Sequence, residues 1–217
     1  MTYALSPSAL NLLKDCPRCF WLSSNHHIKR PSGPFPSLPS GMDKVLKTHF
    51  DVFREKGELP PELVREGINV ALFNDLELLS VWRNSRKGIR WTDAKGNTIY
   101  GAIDNLLQKE KKLIVLDYKT RGYPLKEDTA VHYQDQLDIY NFLFRKNGYE
   151  TEDYSYLLFY HPKEVNEKGY VLFNTNLVKL DVNIKNVETI IKNALGVLEG
   201  DLPKSSEKCE FCTWKTR

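Results

Sequence analysis

No strong charge of either sign marks this 217-residue sequence: Lys+Arg number 31 and Asp+Glu 28, a formal net charge of +3. A global positive field that would announce a nucleic-acid partner is therefore missing, and any basic surface must be local. Long apolar runs are missing too. The longest unbroken aliphatic stretch is Leu113-Ile114-Val115-Leu116, whereas a bilayer span needs roughly 20 apolar residues, so no membrane partner is expected. The opening MTYALSPSALNLLKDC has no basic region ahead of its apolar residues and no small-residue cleavage site, which argues against a secretory signal and for the cytoplasm. Cysteine is scarce, at 4 residues; in a reducing compartment so few thiols do not make a disulfide scaffold. What remains, 41% hydrophobic and 27% charged residues, suits one globular domain over 1–217 and excludes collagen-like, coiled-coil and disordered chains.

Local signals give an alternation of helices and strands. Ser6-Pro7 predicts a helix start, with Ser6 as N-cap and Pro7 at the first helical position. Residues 29–41, KRPSGPFPSLPSG, hold four prolines and two glycines and predict an extended surface segment. Met42, Val45, Leu46, His49, Phe50 and Phe53 fall at helical spacing, which puts His49 on an inward stripe and Asp43 and Asp51 toward the polar side. A helix over Asp75–Asn84 follows, its tail carrying Arg83, Arg86, Lys87 and Arg90, the densest basic patch. Strands are expected at Ile89–Asp93, Thr98–Leu107 and Lys112–Lys119, as an antiparallel meander. A helix over Thr129–Lys146, strands at Tyr154–Tyr160 and Tyr170–Val182, and a helix over Val187–Leu198 complete a mixed α/β sandwich.

Chemistry concentrates on two of those strands. Because side chains alternate faces, Asp117 and Lys119 project from one side while Ile114, Leu116 and Tyr118 face the other. Antiparallel pairing can bring Asp104 beside Asp117. Two adjacent carboxylates repel, and a divalent cation relieves the repulsion. Hard oxygen ligands favour magnesium or manganese, and a neighbouring lysine can orient a water or stabilise developing negative charge. Spacing alone fits equally well a strand end with an ordinary ion pair.

The company of these residues adds to the reading. Gly101-Ala102-Ile103-Asp104, then Leu116-Asp117-Tyr118-Lys119-Thr120, then Gln136-Leu137-Asp138-Ile139-Tyr140 resembles in order and spacing the motif series of the PD-(D/E)XK nuclease superfamily, RecB-like branch. The chain is similar to the CRISPR-associated iron–sulfur exonucleases of that branch, whose N-terminus also resembles Ser6-Pro7-Ser8-Ala9-Leu10 and Cys16-Pro17-Arg18-Cys19-Phe20. The resemblance implies a restriction-endonuclease-like mixed central sheet flanked by helices. It implies that Asp104 and Asp117 hold a catalytic metal with the Tyr118 carbonyl, that Lys119 is the catalytic lysine, and that Gln136 and Tyr140 sit beside them. A histidine on an early helix supplies a further ligand in this branch, which makes His49 the candidate; a core histidine is the alternative.

Cysteines form a second constellation, a Cys-x-x-Cys pair near each end: Cys16/Cys19 and Cys209/Cys212. Two-residue gaps let both sulfurs of a pair reach one ion, so a four-cysteine metal staple joining 1–28 to 201–217 is expected. Zinc is the generic inference; the resemblance implies a [4Fe-4S] cluster, although the family places one cysteine early and three late. The functional expectation is a metal-dependent DNA nuclease acting on single strands or ends. Arg83, Arg86, Lys87, Arg90 and the Lys29-Arg30 loop would steer DNA, although a solvated helix end explains the basic run as well. The alternatives are a nucleic-acid-binding or assembly subunit whose cleavage is absent or needs a protein partner, and a zinc module with no nucleic-acid role.

Overall fold

The computed structural model describes residues 1–213, so the part of the expected C-terminal appendage over 214–217 lies outside the described residues. In chain order the elements are β1 (Ala4–Leu5), α1 (Pro7–Asp15), α2 (Pro17–Asn25), α3 (Ser37–Lys56), α4 (Pro61–Val64), β2 (Ala71–Leu72), α5 (Leu76–Arg83), β3 (Ile89–Thr92) and β4 (Thr98–Gly101). There follow β5 (Asn105–Lys109), β6 (Lys112–Thr120), a 3-10 turn (Ala130–Tyr133), α6 (Gln134–Lys146), β7 (Tyr154–Val165), β8 (Val171–Asp181), α7 (Ile184–Glu199) and α8 (Glu210–Thr213). Among the described residues no helix is long and apolar enough to cross a membrane.

The central sheet runs β2-β5-β6-β7-β8, and a smaller one runs β1-β4-β3. Only β6 and β7 pair in parallel within the central sheet, and the crossover between them contains α6, as a parallel connection requires. Its two faces bury different clusters, as strand alternation dictates. Val115, Leu157 and Phe159 pack with Leu137, Phe144, Val187 and Ala194 from α6 and α7. Ile114, Leu116, Tyr118, Leu158 and Tyr160 pack with Leu46 and Phe50 of α3 and Leu63 of α4. The result is a mixed α/β fold with helices on both faces.

Three local expectations are corrected. The extended segment ends sooner: α3 begins at Ser37, because Pro39 in a first turn forfeits no helical hydrogen bond. The expected strand Thr98–Leu107 is two strands in two sheets. Between them Ile103 turns into the core, 1% exposed, and its N–H donates to Trp82 O at 3.1 Å, which draws the chain out of the first sheet. Val45, assigned to the apolar stripe of α3, is 62% exposed. At the N-terminus Ser6 caps α1 as expected, accepting from Ala9 N at 3.2 Å. Cys16 then takes the extended conformation that a following proline favours, and Pro17 opens α2.

Gly101 closes β4 where the ring of Tyr140 crosses it. A Cβ there would lie 2.7 Å from Tyr140 Cε1 and 3.2 Å from Cδ1, and Tyr140 is buried. Gly101→Ala is expected to cost about 1–3 kcal/mol, read as a Tm lower by several degrees together with shifted NMR signals of the Tyr140 ring. An unchanged Tm would show that the ring yields freely.

Candidate active site

The register Asn105↔Leu116 is the last between β5 and β6. Beyond it Asp104 turns back, and its Oδ2 accepts from Tyr118 N at 3.0 Å. A residue's N–H and C=O leave a strand on the same side, so the Tyr118 carbonyl faces the same opening. Asp117 points to the α6 side of the sheet, 2% exposed, and forms a close ion pair with Lys119. Gln136, in the first turn of α6, joins the two: its Oε1 accepts from Lys119 Nζ at 3.1 Å, and its Nε2 donates to Asp117 Oδ1 at 3.3 Å and to Tyr140 OH at 2.8 Å. The expected residues Asp104, Asp117, Tyr118, Lys119, Gln136 and Tyr140 therefore stand together.

Several neighbours escaped the sequence reading. Lys47 of α3 reaches Asp104 Oδ1 at 3.1 Å and Asp43 at 2.8 Å. The Tyr133 ring lies under the Lys119 ammonium, 4.5 Å from its centroid. Behind the site, Arg83 Nε donates to Asp104 O at 2.8 Å and its Nη1 pairs with Asp51 at 2.6 Å, which also binds Arg54. Arg54, 2% exposed, donates to Asn105, whose Nδ2 donates to Tyr118 OH at 2.6 Å. This buried ring of bonds holds the backbone at Asp104. The Asp43/Lys47 spacing of four residues was the available sequence signal; nothing in the sequence gave its distance to Asp104.

Other expected residues lie elsewhere. His49 bonds Glu62 at 3.1 Å and packs edge-on against Phe50 and Phe53. It is about 200° around the helix from Lys47, so Asp43 and Asp51, not His49, turn toward Asp104. Arg83 is spent on the network just described. Arg86, Lys87 and Arg90 are exposed together, Arg90 donating to the carbonyls of Arg86 and Lys87.

Burial pushes the Asp117 carboxyl up to about 7, the Asp104 charge adds to the rise, and Lys119 opposes it. For Lys119, burial disfavours the charge, but Asp117 and Asp104 overcome it and hold the ammonium protonated. Burial, then the Asp117 charge, keeps the Tyr140 phenol protonated. Asp117 Oδ2 is buried and receives no well-directed hydrogen bond, its near partner being the Lys119 ammonium. Two mutually repelling carboxylates, one with an under-satisfied oxygen, beside a backbone carbonyl form a hard-oxygen set that fits a divalent ion such as magnesium or manganese.

The sequence model of the PD-(D/E)XK nuclease superfamily matches residues 37–217. The chain belongs to that superfamily. Membership brings metal-dependent nuclease chemistry, divalent metal and nucleic acid as partner at the level of the superfamily. None of the curated proteins matches the chain. A solved structure titled "Crystal structure of SSO0001" is similar to it, with a TM-score of 0.44 and 15% identity over 100% of this chain and 85% of that one.

Elsewhere in this PD-(D/E)XK chain, Cys16, Cys19, Cys209 and Cys212 put their sulfurs within 4.8 Å of one another, and among the described residues none of the four is in a disulfide. Among the described residues this is the one group of three or more His, Cys, Asp or Glu gathered so closely. Burial works against ionisation of Cys16, but N–H groups of Cys19 and Ser206 and the neighbouring thiols bring it to about 6. Burial and those neighbours push Cys212 up. A tetrad of soft sulfurs, three of them on buried residues, fits zinc or an iron–sulfur cluster.

Because the folded pKa of Asp117 lies above the ordinary carboxylate value of 3.8, the metal-free fold binds the extra proton and loses this group's contribution as pH rises from about 4 to 7. A divalent ion at Asp117 competes with that proton. The rise in Tm on adding Mn²⁺ should therefore be larger at pH 8 than at pH 5.5, and Asp117→Asn should abolish the difference. Equal shifts at both pH values would contradict the assignment.

Proposed function

We propose that the chain is a magnesium- or manganese-dependent deoxyribonuclease of the RecB-like branch, acting on single-stranded DNA or DNA ends. The observation that carries this reading is the junction of Asp104, Asp117, Lys119 and Gln136 at the open edge of β6. Asp104, Asp117 and the Tyr118 carbonyl would hold the ion, which when bound supplies an activated water and charge stabilisation at the phosphate.

The protein's own groups have separable roles in this reading. Lys119 is held charged by its two carboxylate neighbours, so it acts as a cation that orients water and stabilises negative charge on the phosphate, not as a base. Gln136 fixes the Lys119 ammonium from α6, and the Tyr133 ring limits its travel. Asp117, at about 7, is poised to exchange its proton for the ion near neutral pH. Arg86, Lys87 and Arg90 offer exposed positive charge for the backbone of a strand. The cysteine tetrad is the structural centre of this reading, as [4Fe-4S] or zinc.

One observation favours the second reading, a binding or assembly subunit whose cleavage is absent or depends on a protein partner: Lys47 and Lys119 place an ammonium on each carboxylate. Cleavage of end-labelled single- and double-stranded DNA separates the two. The nuclease is expected to cut with Mn²⁺ or Mg²⁺ and not in chelator, and Lys119→Ala should keep its Tm while losing about 10²–10⁴ in rate. Undiminished cutting by Lys119→Ala would sink the mechanism, and no cutting by the intact chain with either metal would leave the binding subunit.

A further inference from the structure

Arg30 belongs by sequence to a basic loop, yet its side chain is turned inward, 23% exposed. Its Nη2 donates to Cys209 Sγ at 3.6 Å, its Cζ lies 4.7 Å from the centroid of the Phe211 ring, and its Nη1 meets Asp15 Oδ2 at 3.3 Å. Cys209 belongs to the cysteine tetrad and the other two partners flank it: Asp15 precedes Cys16, and Phe211 lies between Cys209 and Cys212.

Charge counting explains the need for a cation there. Four thiolates on one divalent ion leave two negative charges uncompensated, and four on a doubly positive iron–sulfur core leave the same. Cys16, Cys19 and Cys209 are buried, where uncompensated charge is costly. Backbone answers part of it, with Ser206 N donating to Cys16 Sγ at 3.4 Å. Arg30 brings a full charge. It comes from the stretch that leads through Pro31, Pro34 and Pro36 into α3, the helix that carries Asp43 and Lys47 to Asp104.

We infer that Arg30 is a positioning residue of the cysteine centre, whose guanidinium balances thiolate charge and straps residues 28–36 onto the ligand set. The inference rests on the reading that the four cysteines hold a metal. The ion pair with Asp15 cannot account for the arrangement alone, since that carboxylate is 66% exposed and such pairs contribute little.

Zinc serves as the probe, because a four-thiolate site takes it whatever its native occupant. Full-length protein loaded with Zn²⁺ is mixed with a competing chromogenic chelator, and hydrogen exchange is followed for peptides spanning 26–40. Arg30→Gln should weaken zinc retention by about 10–100-fold and speed exchange across the strap even when zinc is present. Arg30→Lys should fall between, and Asp15→Asn should match the parent. In the parent, stripping zinc should speed exchange over the same peptides. Parent-like retention and exchange in Arg30→Gln would overturn the inference alone, as would an equal loss in Asp15→Asn. A parent that takes up no zinc would overturn the cysteine-centre reading and this inference with it; nuclease activity enters neither result.

Discussion

β5 pairs with β6 as far as Asn105↔Leu116 and then leaves it, so from Asp117 onward β6 keeps β7 on one side and has no strand on the other among the described residues. An open edge inside a domain would strand polar backbone groups. Here the gap is filled by the Asp104 carboxylate, which accepts from Tyr118 N. That single departure puts two carboxylates close together, one of them 2% exposed, and their repulsion is the property a divalent ion answers. Just ahead of Asp104 in the chain, Gly101 lies against the Tyr140 ring and Ile103 turns into the core. The chain of bonds Arg83–Asp51–Arg54–Asn105–Tyr118 makes the departure rigid.

Charge is balanced in the same local way at the carboxylates and at the cysteines. At the carboxylates the compensating groups are Lys47 and Lys119, carried by different faces of the sheet. At the cysteines Arg30 is one such group among the described residues. The sulfurs of Cys19 and Cys209, 190 residues apart in the chain, approach to 3.5 Å, so the tetrad joins the first helical pair to the last residues described. A cross-link over so long a loop restricts the unfolded chain strongly in the entropic account. In the chain α3 starts just after the strap and carries Asp43, Lys47 and Arg54.

Strand periodicity made the core of the site legible. Alternation alone places Asp117 and Lys119 on one face with Ile114, Leu116 and Tyr118 opposite, and the two clusters divide in that way. The i, i+4 spacing of Gln136 and Tyr140 likewise put both on one face of α6. The apolar stripe of α3 holds at Leu46 and Phe50, with Met42 and Phe53 packed beside them, and fails at Val45. The stripe was read from apolar residues, but the helix buries Arg54 at 2% exposure and leaves Val45 at 62%, because a paired arginine can serve as core where a network receives it. His49 packs beside that stripe, against Phe50 and Phe53, and bonds Glu62, and nothing in the apolar pattern points to Lys47. The break of 98–107 into two strands was also hidden, since an apolar run does not show where its backbone bends. Arg83 and Arg30 read as surface charge by composition; only three-dimensional partners reveal that each is turned inward.

The central claim, that the open edge of β6 is a divalent-metal site, is tested most directly by crystals grown with Mn²⁺ and measured for its anomalous scattering. The account predicts a peak bound at about 2.1 Å by carboxylate oxygens of both Asp104 and Asp117, with the Tyr118 carbonyl turned toward it. Manganese absent from that edge at saturating concentration, with Lys47 and Lys119 still resting on the two carboxylates, would contradict it.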